Sequence, residues 1–325
     1  MNNLVIILHN KIYDHSNPDE KDVLQQVNLV ADACKELGYE TIAMEIGIHP
    51  YEDIIKVKGS GPLFVFNLVE SVFEKGELLY LGPAILNAFQ IPYTGTPLES
   101  LFITTNKFLT KKLMNHYNIP TPLFYAINET DLLKPGKKYI VKPIWEDGSV
   151  GLDEDSVFVV SDSVKLKRIT GLSPSHYFIE EFVNGREFNI SILGGKNKTD
   201  VLRPAEMIFK NFPPEKPRII GYKAKWDTAS PEYKNTIRSF ETLGSDTVLY
   251  SELKSICLDC WKYFNLKGYA RIDFRIDDNS RPYVIEINGN PCISPDSGFI
   301  AAARHEGFDN KTIIRRITEE INYGL

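Results

Sequence analysis

The sequence predicts an α/β fold in which an N-terminal domain with a parallel sheet precedes two α+β domains. Between residues 4 and 45, a strand, a helix, a glycine and a second strand follow one another, which is the order of a βαβ unit. Between residues 123 and 183, short strand patterns alternate with turn residues. Residues 270–288 alternate apolar and polar side chains around a polar turn, which predicts a β-hairpin.

The N-terminal domain is expected to cover residues 1–97. Gly38 ends its first helical pattern, as glycine commonly does, and the domain closes near Pro97. The elements expected within it are strands over 4–8, 40–45, 63–68 and 91–96 and helices over 20–37 and 78–90.

The rest of the chain is expected to form a central domain over 98–185 and a C-terminal domain over 186–325. The central domain begins with a helix over 104–117, which the two prolines of the IPTP segment end. The strands expected after it lie at 123–127, 137–143, 157–160 and 176–183. The C-terminal elements are strands at 187–195 and 201–209, a helix near 249–264, the hairpin and a helix near 310–323.

The composition is that of a globular protein. The chain has 325 residues, 43% hydrophobic and 25% charged, which allows two or three domains. Its formal net charge of −6 gives no basic field, so we expect neither a nucleic acid nor a membrane as partner. The first ten residues predict a buried strand and not a signal peptide, so we expect a cytoplasmic protein.

Four cysteines in a chain of this length do not indicate a disulfide framework. Cys257 and Cys260 form a lone CxxC inside a helical pattern, where an i, i+3 pair lies on the buried face. Since no second Cys or His pair is near, a metal site there is disfavoured. Cys292 lacks a nearby histidine in the sequence, which favours a small buried thiol over a nucleophile.

One face of the predicted hairpin is polar and the other is apolar. The polar face carries Arg271, Asp273, Glu286 and Asn288, and the apolar face includes Ile285 and Ile287. Regular pairing places the arginine opposite the asparagine and the two carboxylates opposite each other.

The register decides whether the two carboxylates meet. A turn at 278–281 pairs Ile276 with Tyr283, and this register sets Asp273 opposite Glu286. Opposed side chains of an antiparallel pair have Cβ atoms about 4.5–5.5 Å apart, where two like charges destabilise the sheet unless a cation intervenes. Carboxylate and amide oxygens suit Mg²⁺ or Mn²⁺ bridging phosphates and not Zn²⁺. The alternative is a solvated hairpin face with scattered charges.

A glycine-containing loop follows the strand at 137–143. The WEDGSVG segment over 145–151 could close its backbone N–H groups on phosphate oxygens. Lys142 and Lys107 could supply charge to the same phosphates. The motif is neither a Walker A nor a Rossmann fingerprint, and a plain hairpin turn is the alternative.

The IEEFVNGREF segment indicates a nucleoside site. Acidic acceptors stand beside apolar Phe182 and Val183, a combination that suits adenine and ribose. Glu180 could accept from the exocyclic amine, and Glu187 from ribose hydroxyls. Exposed acids on a hairpin are the alternative.

Taken in order, these motifs resemble the ATP-grasp superfamily, and within it the D-alanine-D-alanine ligases. The resemblance covers about residues 60–305. It rests on Lys107, VKP with Lys142, EDGSVG, EEFVNGREF, KAKWD, ARIDF and EINGNPCISPDSG. It implies a three-domain ATP-grasp architecture whose central and C-terminal α+β domains enclose ATP. Seven motifs in the expected order disfavour the solvated-hairpin alternative.

The resemblance also implies a role for each matching residue. The residues implied to bind ATP are Lys107 and Lys142 at the phosphates, Ser149 in the loop over them, and Glu180, Phe182, Val183 and Glu187 at adenine and ribose. The implied ligands of two Mg²⁺ ions are Asp273, Glu286 and Asn288. The residues implied in catalysis are Lys225 near the γ-phosphate, Arg271 at the tetrahedral intermediate, Cys292 through its backbone N–H, and Ser297 at the carboxylate of the amine substrate.

The chain departs from this family at the first-substrate pocket. The family holds its first D-alanine with a Glu, Ser and Tyr set, and here Gly148 and Trp226 occupy the serine and tyrosine positions. The N-terminal glutamate has no clear match, and Glu20 is the candidate considered. Cys292 replaces the family's usual glycine, which narrows the site.

The resemblance therefore implies an ATP-dependent ligase that joins a carboxylate to an amine through an acylphosphate and releases ADP and phosphate. We expect small-molecule carboxylate and amino-acid substrates, an acyl donor other than D-alanine, and a homodimer as the assembly to consider. The alternatives are a D-alanine-D-alanine ligase with an altered pocket, a non-catalytic nucleotide-binding homologue, and a phosphotransferase.

Overall fold

A parallel three-stranded sheet forms the N-terminal part of the protein. The structure, a computed structural model, describes residues 3–146, 148–244 and 246–322. Strands β1 (Leu4–Asn10), β2 (Glu40–Ile46) and β3 (Phe64–Leu68) pair in the order β2-β1-β3, all parallel. The helices around them are α1 (Pro18–Lys21), α2 (Val23–Glu36), α3 (Pro50–Gly59) and α4 (Leu81–Ala88). The predicted parallel sheet is confirmed.

Three N-terminal elements differ from the prediction, and one of them, helix α3, was not expected. The helix expected over 20–37 is divided at Asp22, which separates α1 from α2. The strand expected over 91–96 is wrong, because only Tyr93 forms isolated bridges, to Val65 and to Asn322. Pro92 has no N–H for a ladder, which limits pairing in this segment.

The central part carries a four-stranded antiparallel sheet in the order β4-β7-β5-β6. Its strands are β4 (Phe124–Ala126), β5 (Lys138–Pro143), β6 (Val157–Val159) and β7 (Tyr177–Glu181), and α7 (Ser163–Thr170) packs beside them. Before the sheet, the single helix expected over 104–117 is divided into α5 (Leu98–Thr105) and α6 (Lys107–His116). The division occurs at Asn106, whose side chain accepts a hydrogen bond from the Leu109 N–H and caps α6.

The C-terminal part carries a six-stranded antiparallel sheet, ordered β11-β10-β8-β12-β13 with β9 paired to β8. Its strands are β8 (Arg186–Leu193), β9 (Asp200–Val201), β10 (Ala205–Phe209), β11 (Thr236–Ser239), β12 (Tyr269–Ile276) and β13 (Pro282–Asn288). The helices are α8 (Tyr222–Trp226), α9 (Pro231–Asn235), α10 (Thr247–Tyr263), α11 (Gly298–His305) and α12 (Asn310–Thr318).

The hydrophobic cores cross the expected domain limits. Phe299 of α11 and Ile313 of α12 lie in one buried cluster with Val5 and Phe66 of the N-terminal sheet. Met114 of α6 lies in a second cluster with the strands of the C-terminal sheet. These shared cores bring the carboxyl ends of the N-terminal strands close to the β12–β13 hairpin, while the domain limits themselves stay a prediction.

The cysteine pair of α10 is structural. Cys257 and Cys260 are free thiols with no exposed surface, so the predicted placement on the buried face is confirmed. Burial raises the pKa of both thiols. Within the ranges that the structure describes, no helix combines the length and apolarity needed to cross a membrane.

Candidate active site

The β12–β13 hairpin brings the predicted polar set together. Asp273 pairs with Glu286 and Arg271 pairs with Asn288, as the alternation predicts. Nearer the turn, the predicted pairing of Ile276 with Tyr283 is wrong, because Ile276 pairs with Pro282.

A β-bulge reconciles the two halves of the hairpin. The register shifts by one residue between Asp273 and Phe274, which leaves Ile285 as the extra residue on β13. Val284 has no exposed surface, whereas Ile285 lines the cleft beside Glu286. The expectation that Ile285 lies on the apolar face is therefore wrong, since a bulge turns the extra residue away from regular alternation.

Each of the two opposed carboxylates has a cationic partner. Arg271 donates from Nε and Nη2 to both oxygens of Asp273, at 2.7 and 2.8 Å. Lys107 Nζ lies 3.0 Å from Glu286 Oε1 and donates to the Glu146 carbonyl at 2.7 Å. These cations offset the repulsion that two opposed carboxylates would otherwise cause.

The donor set of the hairpin fits a hard divalent cation. Asp273 and Glu286 supply carboxylates, and Asn288 supplies an amide oxygen that accepts from the Asn290 N–H at 2.9 Å. In the described part of the chain, no cluster of three or more His, Cys, Asp or Glu side chains is arranged for a metal. A site with two carboxylates and one amide suits Mg²⁺, which also takes oxygens from water and substrate phosphates.

A cleft of about 470 Å³ opens in front of the hairpin, within the size range of ligand pockets. Every predicted site residue except Asn288 lines it. One wall of the cleft is apolar and consists of Ile140, Phe182, Val183, Met207 and Ile219. Asn288 lines an adjoining cavity, described below.

Glu180 lies at the centre of a buried charge cluster. Its carboxylate accepts from Lys142 Nζ at 2.7 Å and also pairs with Lys111. Burial alone would raise the pKa of Glu180, but the two ammonium groups outweigh it and the pKa is lowered. Burial lowers the pKa of Lys111 to about 8, with Glu180 partly offsetting the shift. Lys111 also donates to Thr121 Oγ1 at 2.8 Å, which joins the cluster to β13.

Glu187 is likewise buried and paired. Arg275 Nη2 lies 2.7 Å from Glu187 Oε2, and the Arg275 guanidinium stands 5.5 Å from the ring centre of Phe182. Burial raises the pKa of Glu187, and Arg275 partly offsets the shift. The carboxylate that was predicted to accept from ribose therefore already has a charged partner.

The glycine-containing loop is fastened to the segment around α8. Ser149 Oγ donates to the Ile220 carbonyl at 2.6 Å, and Trp226 Nε1 donates to the Gly148 carbonyl at 2.9 Å. Gly148 and Ser149 both have positive φ, at 67° and 66°. Asp147 of the EDGSVG motif lies outside the described residues. We call these two hydrogen bonds the loop latch, because together they join the two segments that cover the cleft.

Lys225 precedes the latch tryptophan and lines the cleft. Burial lowers the pKa of Lys225, and Arg271 lowers it further. The Lys225 ammonium also lies 5.7 Å from the ring centre of Trp226. A lysine in this setting is positioned to meet negative charge in the cleft.

Cys292 and Ser297 lie after the hairpin. Cys292 Sγ donates to Asp22 Oδ2 at 2.9 Å, and burial raises the pKa of the thiol. Among the described hydrogen bonds, none uses the backbone N–H of Cys292. Ser297 caps α11 by accepting from the Ile300 N–H at 3.2 Å, so its hydroxyl stands at the positive end of that helix.

A second cavity of about 400 Å³ adjoins the cleft. Residues shared by the two walls are Asp22, Gly148, Lys225, Trp226, Arg271 and Cys292. Since the shared residues include those at the predicted first-substrate positions, we name the second cavity the donor pocket.

Sequence reasoning missed Asp22, which lines both cavities. It considered Glu20 instead, but the Glu20 carboxylate accepts from the Asn17 N–H at 2.7 Å in a capping box, although the residue also lines the donor pocket. The run of acids over 19–22 was the available signal, but the contact of Asp22 with Cys292 depends on long-range folding.

Comparison with known proteins agrees with this geometry. The family model "D-ala D-ala ligase C-terminus" matches residues 132–319. An uncharacterized protein of Sinorhizobium fredii is 28% identical over 305 residues, 89% of this chain and 85% of that protein. A D-alanine--D-alanine ligase of Aquifex aeolicus is 28% identical over 296 residues, 88% of this chain and 90% of that enzyme.

The fold also matches a solved structure. The D-alanine--D-alanine ligase of Bacillus anthracis complexed with ATP superposes with a TM-score of 0.72 at 20% identity, over 98% of this chain and 97% of that one. The predicted three-domain ATP-grasp architecture is confirmed at the level of the fold. Because the family model matches more than half of this chain, the chain belongs to the D-alanine-D-alanine ligase family of ATP-grasp proteins.

Proposed function

We propose that this protein is an ATP-dependent ligase that joins a small-molecule carboxylate to an amine. One observation carries the proposal: Asp273 and Glu286 face each other at the mouth of a cleft, and Arg271 and Lys107 meet them there. Phosphoryl and acyl transfer both develop negative charge, and preorganised cations in a water-excluded cleft stabilise it. The named relatives from Aquifex aeolicus and Bacillus anthracis are ligases, which supports the same reaction class.

The nucleotide is assigned to the larger cleft. The apolar wall with Phe182 and Val183 suits adenine, and Lys107 and Lys142 suit the phosphates. Glu180 acts here mainly by holding Lys142 in place, since the two side chains are bonded at 2.7 Å. Ser149, bonded to Ile220, keeps the loop over the phosphates.

Asp273, Glu286 and Asn288 are assigned as the ligands of Mg²⁺, with Mn²⁺ as an alternative. Mg²⁺ would neutralise charge on the β- and γ-phosphates and hold their oxygens in place. Arg271 and Lys107, which pair with Asp273 and Glu286, would add positive charge beside the same phosphates.

The chemistry proceeds in two balanced steps. A carboxylate oxygen of the acyl donor forms a bond to the γ-phosphorus as the bond to the bridging oxygen of ADP breaks. The ammonium group of the second substrate loses one proton to water, and the neutral amine attacks the acyl carbon. The carbon–oxygen bond to phosphate then breaks, and the departing phosphate takes up the second proton of the amine. Arg271 and the backbone N–H of Cys292 are assigned to the oxyanion, Lys225 to the γ-phosphate, and Ser297 to the carboxylate of the amine substrate.

The acyl donor is proposed to differ from D-alanine. Gly148 and Trp226 have neither the hydroxyl of a serine nor that of a tyrosine. The indole N–H of Trp226 is already used, because it donates a hydrogen bond to the Gly148 carbonyl. A small polar substrate would lose hydrogen bonds, and an unpaired buried polar group costs about 1–3 kcal/mol. The alternative is a D-alanine-D-alanine ligase with an altered pocket, which the names of the relatives favour.

Release of ADP and phosphate from ATP, measured over a panel of D- and L-amino acids, tests both the ligase assignment and the proposed specificity for the acyl donor. We expect D-alanine to stimulate slowly or not at all and another amino acid to stimulate far more. Mass spectrometry of the product separates an amide from the phosphate ester of a phosphotransferase. ADP release that no carboxylate or amine stimulates would contradict the ligase assignment, and D-alanine as the best substrate would contradict the specificity assignment.

A further inference from the structure

The donor pocket has a charge composition that the ligase reaction does not require. Six carboxylates line it: Asp19, Glu20, Asp22, Glu70, Glu74 and Glu146. Its basic lining residues are Lys225 and Arg271, and both also line the nucleotide cleft. The part of the pocket that the nucleotide cleft does not share carries five of these carboxylates and is therefore strongly acidic, whereas a site for a small neutral side chain needs no such excess.

Neutral groups hold several of these carboxylates. Tyr222 donates its hydroxyl to Asp19 Oδ1 at 2.9 Å, and this bond together with burial raises the pKa of Tyr222 to about 12. Asp22 accepts from the Cys292 thiol at 2.9 Å. Neutral donors orient a carboxylate without cancelling its charge, so the negative potential in the pocket persists.

Glu146 is one of the carboxylates in the part of the pocket that the cleft does not share. The residue is half-buried, and burial raises the pKa of its carboxyl, with Lys107 acting in the opposite direction and Glu77 and Asp19 raising it further. Glu77 and Asp19 thus act on Glu146, and the pocket lining also includes Glu74, which pairs with the exposed His15 at 2.7 Å.

A second and independent observation is a buried hydrogen-bond acceptor in the wall of the donor pocket. Asn10, at the carboxyl end of β1, lines the donor pocket and is only 3% exposed. Its Oδ1 atom accepts no hydrogen bond from the described residues. A buried acceptor without a donor costs free energy unless a ligand supplies the donor.

The aromatic lining points the same way. Two of the three tryptophans of the chain, Trp145 and Trp226, line the donor pocket. The face of an indole ring attracts cations more strongly than that of other aromatic side chains. Carboxylates, an unpaired amide oxygen and indole faces are together the chemistry that recognises a positively charged group.

We infer that the acyl donor carries a cationic side chain, as a basic amino acid does, and that Asp19 and Glu146 select it. This inference rests on the proposed ligase function and narrows its first substrate. The α-carboxylate of the donor then faces Arg271 and the nucleotide, while its side chain extends toward the acidic end. Asp19 and Glu146 are specificity residues here and take no part in bond formation.

Matched pairs of substrates test the inference. ADP release is measured with lysine against norleucine and arginine against citrulline, each as both enantiomers, because each pair differs mainly in charge. In the preferred enantiomer, we expect the cationic member to have a kcat/KM at least about tenfold higher, equivalent to about 1.4 kcal/mol. The KM of the cationic substrate should also rise with salt, while that of the neutral one should not.

Variants connect the preference to the pocket. In Asp19→Asn with Glu146→Gln, the charge preference should fall below about threefold, while the KM for ATP holds. Glu252→Gln, an exposed acid on α10, is the matched control. If the double variant does not fold, the inference is tested by the charge preference of the Glu146→Gln single variant and by the dependence of KM on salt.

The outcomes separate the two proposals. Equal or better activity with norleucine or citrulline, or a charge preference that the variants leave unchanged, overturns the cationic donor and leaves the ligase intact. ADP release that no member of the wider amino-acid panel stimulates overturns the ligase and the cationic donor together.

Discussion

Asp273 and Glu286 stand directly opposite each other across β12 and β13, and each of them pairs with a cation. Asp273 accepts two hydrogen bonds from the guanidinium of Arg271 on the same strand, and Glu286 lies 3.0 Å from Lys107 Nζ. These two cations offset the repulsion between the opposed carboxylates, whose oxygens are the proposed ligands of Mg²⁺. The first two predictions follow from this arrangement.

Glu286→Gln should abolish metal-dependent function and leave the fold intact. The amide keeps the shape of the side chain but removes the charge that the proposed Mg²⁺ needs, so we expect turnover to fall at least about a hundredfold. Calorimetric affinity for ATP should weaken severely with Mg²⁺ present. Glu252→Gln on the exposed face of α10 serves as the control. Near-normal turnover in Glu286→Gln would contradict the assignment of the hairpin to the active site.

Arg271→Lys should lower kcat with little change in the KM for ATP. Lysine retains a positive charge but loses the planar fork, whose charge is proposed to face the tetrahedral intermediate and not the ground state. Loss of one oxyanion donor costs about 2.7–4 kcal/mol in kcat, and a similar loss is expected. Steady-state kinetics against Arg315→Lys, an exposed residue of α12, measure the effect. A raised KM for ATP with unchanged kcat would contradict the role.

Lys111→Met should destabilise the protein through Glu180. Lys111 is 1% exposed and Glu180 is 2% exposed, so removing one cation leaves a buried carboxylate with Lys142 as its remaining charged partner in the described cluster. Breaking a buried pair costs about 3–5 kcal/mol, and the remaining lysine favours the low end. Urea unfolding measures the change, with exposed Lys112→Met as the adjacent control. Equal loss in both variants would exclude a special role for the buried pair.

The pH dependence of the same variant has a defined sign. The pKa of Lys111 is about 8 in the folded state against 10.5 as the reference. Between these values the unfolded chain binds more protons, so the contribution of Lys111 to the free energy of unfolding rises with pH. The difference in this free energy between wild type and Lys111→Met should therefore grow from pH 8 to pH 10.5. A difference that stays flat across this window would contradict the shifted pKa.

The sequence predicted the chemical face of the hairpin better than its geometry near the turn. Alternation over 270–276 identified Arg271 and Asp273, because successive side chains of a strand point to opposite faces of its sheet. Alternation gave the wrong face for Ile285, because a bulge adds one residue to a strand and the amino-acid sequence contains no signal that predicts it. The opposition of Asp273 and Glu286 was nevertheless predicted, because the one-residue error in the turn pairing and the one-residue shift at the bulge offset each other.

The donor pocket shows the other limit of sequence reasoning. Gly148 and Trp226 were recognised as departures because each lies within a motif. Asp22 and Asn10 were not recognised, since their position at the site depends on packing between the N-terminal sheet and the end of the hairpin. Contacts such as Cys292 with Asp22 join residues far apart in sequence and have no local signal.

Trp226→Phe should open the loop latch. Phenylalanine keeps an aromatic ring but cannot donate to the Gly148 carbonyl, now bonded at 2.9 Å, so one of the two latch hydrogen bonds is lost. A single hydrogen bond contributes about 0.5–1.5 kcal/mol, which predicts a roughly two- to tenfold rise in the KM for ATP and the donor. Proteolysis at the loop should quicken, and saturating ATP should restore protection. Trp261→Phe on α10 is the matched control. If both variants behave alike, the hydrogen bond to Gly148 does not hold the loop, and closure over the cleft must rest on Ser149 and the ligand.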